Sequence, residues 1–196
     1  MDLLRETGSE EAMSLRAVAQ RVGVSVPSIY LHFADKQALL DAVCEEVFEA
    51  LHVAMKDADS DAPNAWEALR AQGIAYVRFA LANPEHYRIV MMSGASKHEP
   101  ADEIVSGAFG HLLESIEGSI HLGVLEGDPI ELGLKLWAAA HGLASLLIAK
   151  PNMPWPPLEQ LIDGTMCFAG LGLAAATRLD PLMPADELVE HLDRLR

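Results

Sequence analysis

Cysteine is scarce in this chain. Cys44 and Cys167 stand far apart with no CxxC pair, which excludes a disulfide scaffold and fits free thiols in a reducing compartment. Long apolar runs are missing too. The longest candidate, "LWAAAHGLASLLIA", carries His141 and falls short of the roughly 18 uninterrupted apolar residues of a membrane helix. The opening "MDLLRETG" has too much acid and too few apolar residues for a signal peptide. The expectation is a soluble cytoplasmic protein that does not engage a membrane. β-Branched alternation is rare, and no internal repeat or low-complexity tract occurs. The histidines His86, His98, His111, His121 and His141 lack HxxxH or HExxH spacing. They read as scattered surface or capping residues, with no metal or cofactor implied. Cys167 has no base paired with it in sequence, so a catalytic thiol is not expected.

Positive charge is in short supply against negative. The 196 residues carry a formal net charge of -15. Apolar residues make up 51% and charged residues 22%, enough for a sizeable core and too few charges for disorder. Alanine and leucine are plentiful, and Pro and Gly cluster between periodic segments. The pattern predicts an all-α chain.

Ser14 is an N-cap for "LRAVAQRV", with Leu15, Val18, Ala19 and Val22 on one face. Gly23 suits a helix stop, and Ser25 caps "VPSIYLHF" with Pro27 in its first turn. Asp35 caps a longer helix from Lys36 to about residue 57, and the polar "DADSDAPN" reads as a boundary. Further helices follow in "AWEALRAQGIAYVRFALA", "NPEHYRIVMMS", "DEIVSGAFGHLLESIEGSIHLG", "IELGLKLWAAAHGLASLLIAK" and "LEQLIDGTMCFAGLGLAAATR". A short amphipathic tail runs through Leu188, Leu192 and Leu195.

The two short helices joined at Gly23 have the form of a helix-turn-helix, whose second helix lies in the DNA major groove. Ala19, Val24 and Ile29 are expected inside the unit. Val26, Pro27, Ser28, Tyr30, Leu31 and His32 are left outside. Ser28 and Tyr30 can donate to phosphate, as can His32 and Lys36, while Arg16 can reach a phosphate or a guanine edge. From residue 14 to residue 36 the charges are Arg16, Arg21 and Lys36 against Asp35, a net +2 in an acidic chain. Screening over about 10 Å at 0.1 M salt lets this patch act apart from the acidic remainder.

"MSLRAVAQRVGVSVPSIYLHFADKQALL" resembles the DNA-binding domain of TetR family transcriptional regulators. The Gly-Val-Ser turn, the Tyr-x-His-Phe run and the Lys followed by a Leu pair carry the match, over roughly residues 3 to 51. The resemblance implies DNA-facing positions at Arg16, Val26, Pro27, Ser28, Tyr30, Leu31, His32 and Lys36. "AYVRFALANPEHYRIVM" with the later "LWAAAHGLASLL" resembles the ligand-binding domain of a TetR subgroup with a Trp-His-Gly signature, here Trp137, His141 and Gly142. This implies an N-terminal domain at 1–51 that reads operator DNA. It also implies a helical domain at 52–196 that binds an effector and dimerises through its last two long helices, around 129–149 and 158–177.

Trp66, Tyr76, Phe79, Met91, Phe109, Trp137 and His141 are the candidate pocket lining, with Met92 and Met166 as further candidates. Each is also a normal core residue, and Met suits varied apolar ligands. His141, four residues after Trp137 on one helix face, reads first as a core hydrogen-bonding residue, with Gly142 permitting close packing. Gly164, Gly170 and Gly172 point to close helix approach, as at a dimer interface, or to a locally loose helix. The leading function is a homodimeric, ligand-responsive repressor on a palindromic operator. The alternatives are an architectural or nucleoid DNA-binding protein without effector, and an all-α enzyme centred on Trp137 and His141. The resemblance also implies a full first helix. Here Gly8 breaks it and Leu3 and Leu4 remain, while Asp2, Glu6, Glu10 and Glu11 add unfavourable charge. A start codon upstream of Met1 is the expectation over a trimmed domain.

Overall fold

The computed structural model describes residues 14–92, 107–179 and 183–194. Among them are nine helices and no strand, so the all-α expectation holds. The expectations about the first helix (Leu3, Leu4, Gly8) and those on His98 and Leu195 lie outside the described residues, as does the side chain of Met92.

Caps define most of the starts. Ser14 Oγ accepts from Ala17 N–H at 3.1 Å and opens α1 (Leu15–Val22). Gly23, at φ 74°, ends it in the left-handed region that a side chain disfavours. Ser25 caps α2 (Val26–Tyr30), and Asp35 accepts from Ala38 N–H at 2.8 Å to open α3 (Lys36–Asp59). Asn64 receives both Trp66 N–H and Glu67 N–H at the start of α4 (Ala65–Ala82). Then come α5 (Pro84–Met92) and α6 (Gly107–His121). Asp128 caps α7 (Pro129–Ala149), which is followed by α8 (Leu158–Ala176) and α9 (Ala185–Asp193).

Two apolar clusters organise these helices. The smaller joins Leu40, Val43, Cys44 and Val47 of α3 to Val90 of α5, with Val18 of α1 packed on it. The larger starts one turn further along α3, at Leu51 and Met55. It continues through Tyr76, Val77 and Ala80 of α4, Ile116 of α6, Ala144 of α7 and Ile162 of α8. Phe79 and Met91 touch both clusters. α3 therefore passes from one cluster to the other without a break, and the helix continues through residue 51 to Asp59.

α4 lies at the centre, against α3, α6, α7 and α8. Its approach to α6 is very close, since a Cβ added at Gly118 would stand 2.5 Å from Ala65 Cβ. By length and composition α7 could cross a membrane, which the count of uninterrupted apolar residues did not register. Here Leu132, Ala140, Leu143, Ala144 and Leu147 of that helix are buried in the larger cluster.

Three local expectations are corrected. Val24 is 45% exposed, because its N–H bonds back to Ala19 O within the turn and its side chain stays out of the unit. Only Ala19 and Ile29 are buried there. Val22 is 61% exposed, since the buried stripe of so short a helix centres on Ala19. The second helix ends at Tyr30, so Leu31 and His32 lie in a turn, where His32 N–H and Phe33 N–H share Ile29 O.

Candidate nucleic-acid interface and ligand cavity

The helix-turn-helix surface follows from what is buried beneath it. With Ala19 and Ile29 inside, Arg16, Pro27, Tyr30, Leu31 and His32 are exposed, and Val26, Ser28 and Lys36 are half-buried. Tyr30 is 55% exposed and Leu31 84%. An exposed leucine of that degree beside an exposed tyrosine has no packing role in the described chain. Ser28 Oγ lies 2.7 Å from Ser25 Oγ, so its hydroxyl is tied to the cap of α2. Lys36 stands in the first turn of α3, where the free backbone N–H groups and the helix dipole favour an anion.

In the helical body a cavity of about 140 Å³ opens between α4, α7 and α8, with Met55 of α3 and Leu112 of α6 also in its wall. Of the seven candidate lining residues, Trp66, Tyr76 and Trp137 form its wall, together with Met166. Phe79, Met91, Phe109 and His141 lie outside that wall. Phe109 meets Trp137 edge-on at 6.1 Å, while Phe79 and Met91 sit between the two apolar clusters. Gly170 lets Trp66 approach, since a Cβ there would be 3.2 Å from the indole. At Gly142, Gly164 and Gly172 an added Cβ would meet nothing within 4 Å. Close packing at Gly142 within the chain is therefore not the case, because that side of α7 faces open space.

His141 is one step behind the wall, in a hydrogen-bond chain. Trp137 Nε1–H donates to the Tyr76 hydroxyl at 3.0 Å, and the Tyr76 and Tyr87 hydroxyls are 3.1 Å apart. The Tyr87 hydroxyl is 2.6 Å from His141 Nδ1, and Ser145 Oγ is 3.3 Å from Nε2. A neutral ring protonated on Nε2 satisfies every member. Nδ1 then accepts from Tyr87, Nε2–H donates to Ser145, and Tyr76 donates to the Tyr87 oxygen. Burial favours that state by lowering the His141 pKa from its ordinary 6.5. Burial, then repulsion from the charge Tyr87 would carry once ionised, pushes the Tyr76 hydroxyl far above its usual range. Burial likewise raises Tyr87. The tyrosines are thus neutral donors at neutral pH.

A second polar group borders the cavity. Gln72, on its wall, is fully buried, and its Nε2 donates to Asp59 Oδ2 and to Ser115 Oγ, the latter at 2.8 Å. His111 Nε2 reaches the same Asp59 oxygen at 2.8 Å. Gln72 Oε1 has no partner among the described residues. The histidines thus differ from a scattered surface set. His86 is buried and its Nε2 has no partner among the described residues, and His111 is largely buried on Asp59. His121 is exposed and bonds Glu117 O. No group of three potential metal ligands occurs among the described residues.

Gln72, Tyr87, Ser145, Asp59 and His111 were absent from the sequence-derived site. Gln72 had a signal: it stands three residues after Leu69 and four before Tyr76, a polar residue within the buried face of α4. Tyr87 and Ser145 had none, because their roles depend on where α5 and α7 meet α4.

Comparison with known proteins agrees with both halves. The family model for bacterial regulatory proteins of the tetR family matches residues 2–43. The model for the tetracyclin repressor-like C-terminal domain matches residues 69–166, half of the chain. The class C tetracycline repressor protein of Escherichia coli is 33% identical over 90 residues, which cover 45% of this chain and 39% of that protein. The match thus spans about two fifths of that relative's length. A protein of unknown function from Rhodococcus sp. RHA1 superposes with a TM-score of 0.71 at 28% identity, covering 88% of this chain and 90% of that one. A TetR family transcription regulator from Marinobacter aquaeolei VT8 shares the fold, with a TM-score of 0.69 at 21% identity over 85% of this chain and 88% of its own. With the capped helix-turn-helix at one end and the matched helical domain at the other, this chain belongs to the TetR family.

Proposed function

We propose that the chain is a homodimeric transcriptional repressor of the bacterial cytoplasm, which binds a palindromic operator and leaves it when a small, largely apolar effector occupies the helical body. The observation that carries this reading is the exposed row Tyr30, Leu31 and His32 on a unit of net charge +2 (Arg16, Arg21 and Lys36 less Asp35) in a chain of net charge -15. Arg16, Ser28, Tyr30, His32 and Lys36 supply the polar DNA contacts, and Val26, Pro27 and Leu31 the apolar ones to base edges and sugars.

Dimerisation is supported by the outer faces of α7 and α8. Phe168 is 77% exposed, and Leu134, Leu146 and Leu171 are exposed with it. Gly164 and Gly172 leave open space beside them. Such a surface matches the apolar core of an interface between copies. A symmetric dimer requires half-sites about one helical turn apart, or a multiple. Effector sensing is supported by the cavity that Trp66, Tyr76 and Trp137 line, and the coupling between operator and effector must be reciprocal.

A gel shift with the DNA upstream of the protein's own gene tests this function. A retarded band that competitor DNA of unrelated sequence does not remove is expected. No sequence-selective band at micromolar protein would refute it.

A further inference from the structure

The cavity has the size of a single ring, and its wall is built chiefly of rings, sulfur and hydrocarbon. Its volume is about 140 Å³, close to the roughly 150 Å³ of an apolar protein cavity that takes up benzene. Trp66, Tyr76, Trp137, Met55 and Met166 all stand in the wall. Two of them are seated by glycines on the facing helix. A Cβ at Gly73 of α4 would stand 2.7 Å from Met166 Sδ of α8, and one at Gly170 of α8 would stand 3.2 Å from Trp66 of α4.

The polar groups of the wall are occupied elsewhere. Every wall residue belongs to a helix, so its main-chain N–H and C=O are bonded along that helix, and the first-turn N–H groups of Trp66 and Glu67 go to Asn64. The Tyr76 hydroxyl takes the Trp137 indole N–H and pairs with Tyr87. Gln72 is fully buried, with its Nε2 on Asp59 and Ser115, so an occupant meets no amide. The charged heads are exposed and paired: Glu67 Oε2 accepts from Asn64 Nδ2 at 2.9 Å, and Arg70 meets Asp163 at 3.2 Å. The Trp66 indole N–H only donates, and the Cys167 thiol is a weak partner. A ligand's own O–H or N–H therefore finds no strong acceptor inside.

We propose that the cavity takes a neutral alkylbenzene: one aromatic ring with carbon substituents, no charge and no hydrogen-bond donor. This rests on the effector-sensing reading above and specifies its ligand. The ring is aromatic because aromatic side chains and methionine sulfurs both attract one. A hydroxyl carried inside would give up water without gaining an acceptor, which costs free energy. A carboxylate would need a cation of its own, and the Arg70 head is shared with Asp163 while Glu67 stands on the same wall.

The test is calorimetric titration of the intact protein with p-xylene, hydroquinone kept under argon, and 4-methylbenzoate. The three have nearly one shape. Hydroquinone carries a hydroxyl at each end, so whichever way it enters, one goes inside. p-Xylene is expected to bind at one site per chain, more tightly than either polar compound by about tenfold or more. Ala140 is a buried wall residue, and Ala140→Leu fills the space and weakens p-xylene by about tenfold or more. Leu136→Phe, at a half-buried wall position, reads the same loss should Ala140→Leu not fold. Hydroquinone or 4-methylbenzoate binding as tightly as p-xylene to the wild-type protein overturns the proposal. So does no binding of any of the three, or p-xylene affinity unchanged in the folded wall variants. p-Xylene preference without any release of DNA supports this site and counts against the repressor reading instead.

Discussion

The Tyr87 hydroxyl stands 2.6 Å from Nδ1 of His141, which joins α5 to α7 through a side chain on each. Tyr76 of α4 meets both, so three helices share one polar centre inside an otherwise apolar body. Such a centre is stable only while each member has its partner.

The first expected outcome concerns acid. His141 is held below its ordinary 6.5 by burial, so the unfolded chain binds a proton more readily than the folded one. Stability contributed by the neutral ring is complete above that value. It is lost as pH falls from about 6.5 toward the lower folded value. His141→Gln lowers the melting temperature at pH 8 by breaking the chain to Tyr87, and it flattens the slope between pH 6.5 and 5. Melting curves of both proteins across that range check this, and parallel slopes would contradict it.

Packing between α4 and α6 gives a second. At Gly118 a side chain would press on Ala65 from 2.5 Å, and Ala65 has no far end to swing aside. Gly118→Val is expected to destabilise the fold by about 1–3 kcal/mol, as overpacking does. Urea unfolding followed by circular dichroism measures it.

A third concerns assembly. Phe168→Asp or Gly172→Asp places a charge on the exposed apolar face of α8, and Ala138→Asp does so on α7. Each is expected to shift sedimentation from dimer toward monomer while helical content is kept. A wild-type protein that sediments as a monomer at micromolar concentration would contradict the dimer.

Much of the fold was legible because caps are local. Ser14, Ser25, Asp35 and Asp128 each hold the N–H groups their positions imply. Gly23 and Gly123 stop helices at φ 74° and 71°, where only glycine is at ease. The end of α2 was not legible, since "VPSIYLHF" continues in helix-compatible residues and the stop at Tyr30 comes from the turn into Asp35. Tyr76, Trp66 and Trp137 were named as cavity candidates chiefly through the family resemblance, and they stand in the cavity wall. The buried polar groups beside the cavity were not legible. Gln72 acquires its meaning from Asp59 and Ser115, which lie 13 residues before it and 43 after it. No local pattern encodes such pairings.

The most direct measurement of the central claim is operator affinity as a function of salt, for the wild type, Tyr30→Phe and Lys36→Ala. Both side chains are assigned to phosphates, and phosphate contacts act across sequences. Each substitution is expected to weaken binding at about 100 mM salt. Lys36→Ala should also reduce the slope of log affinity against log salt by about one. Unchanged affinity and slope in both variants would show that this face of the helix-turn-helix does not touch DNA.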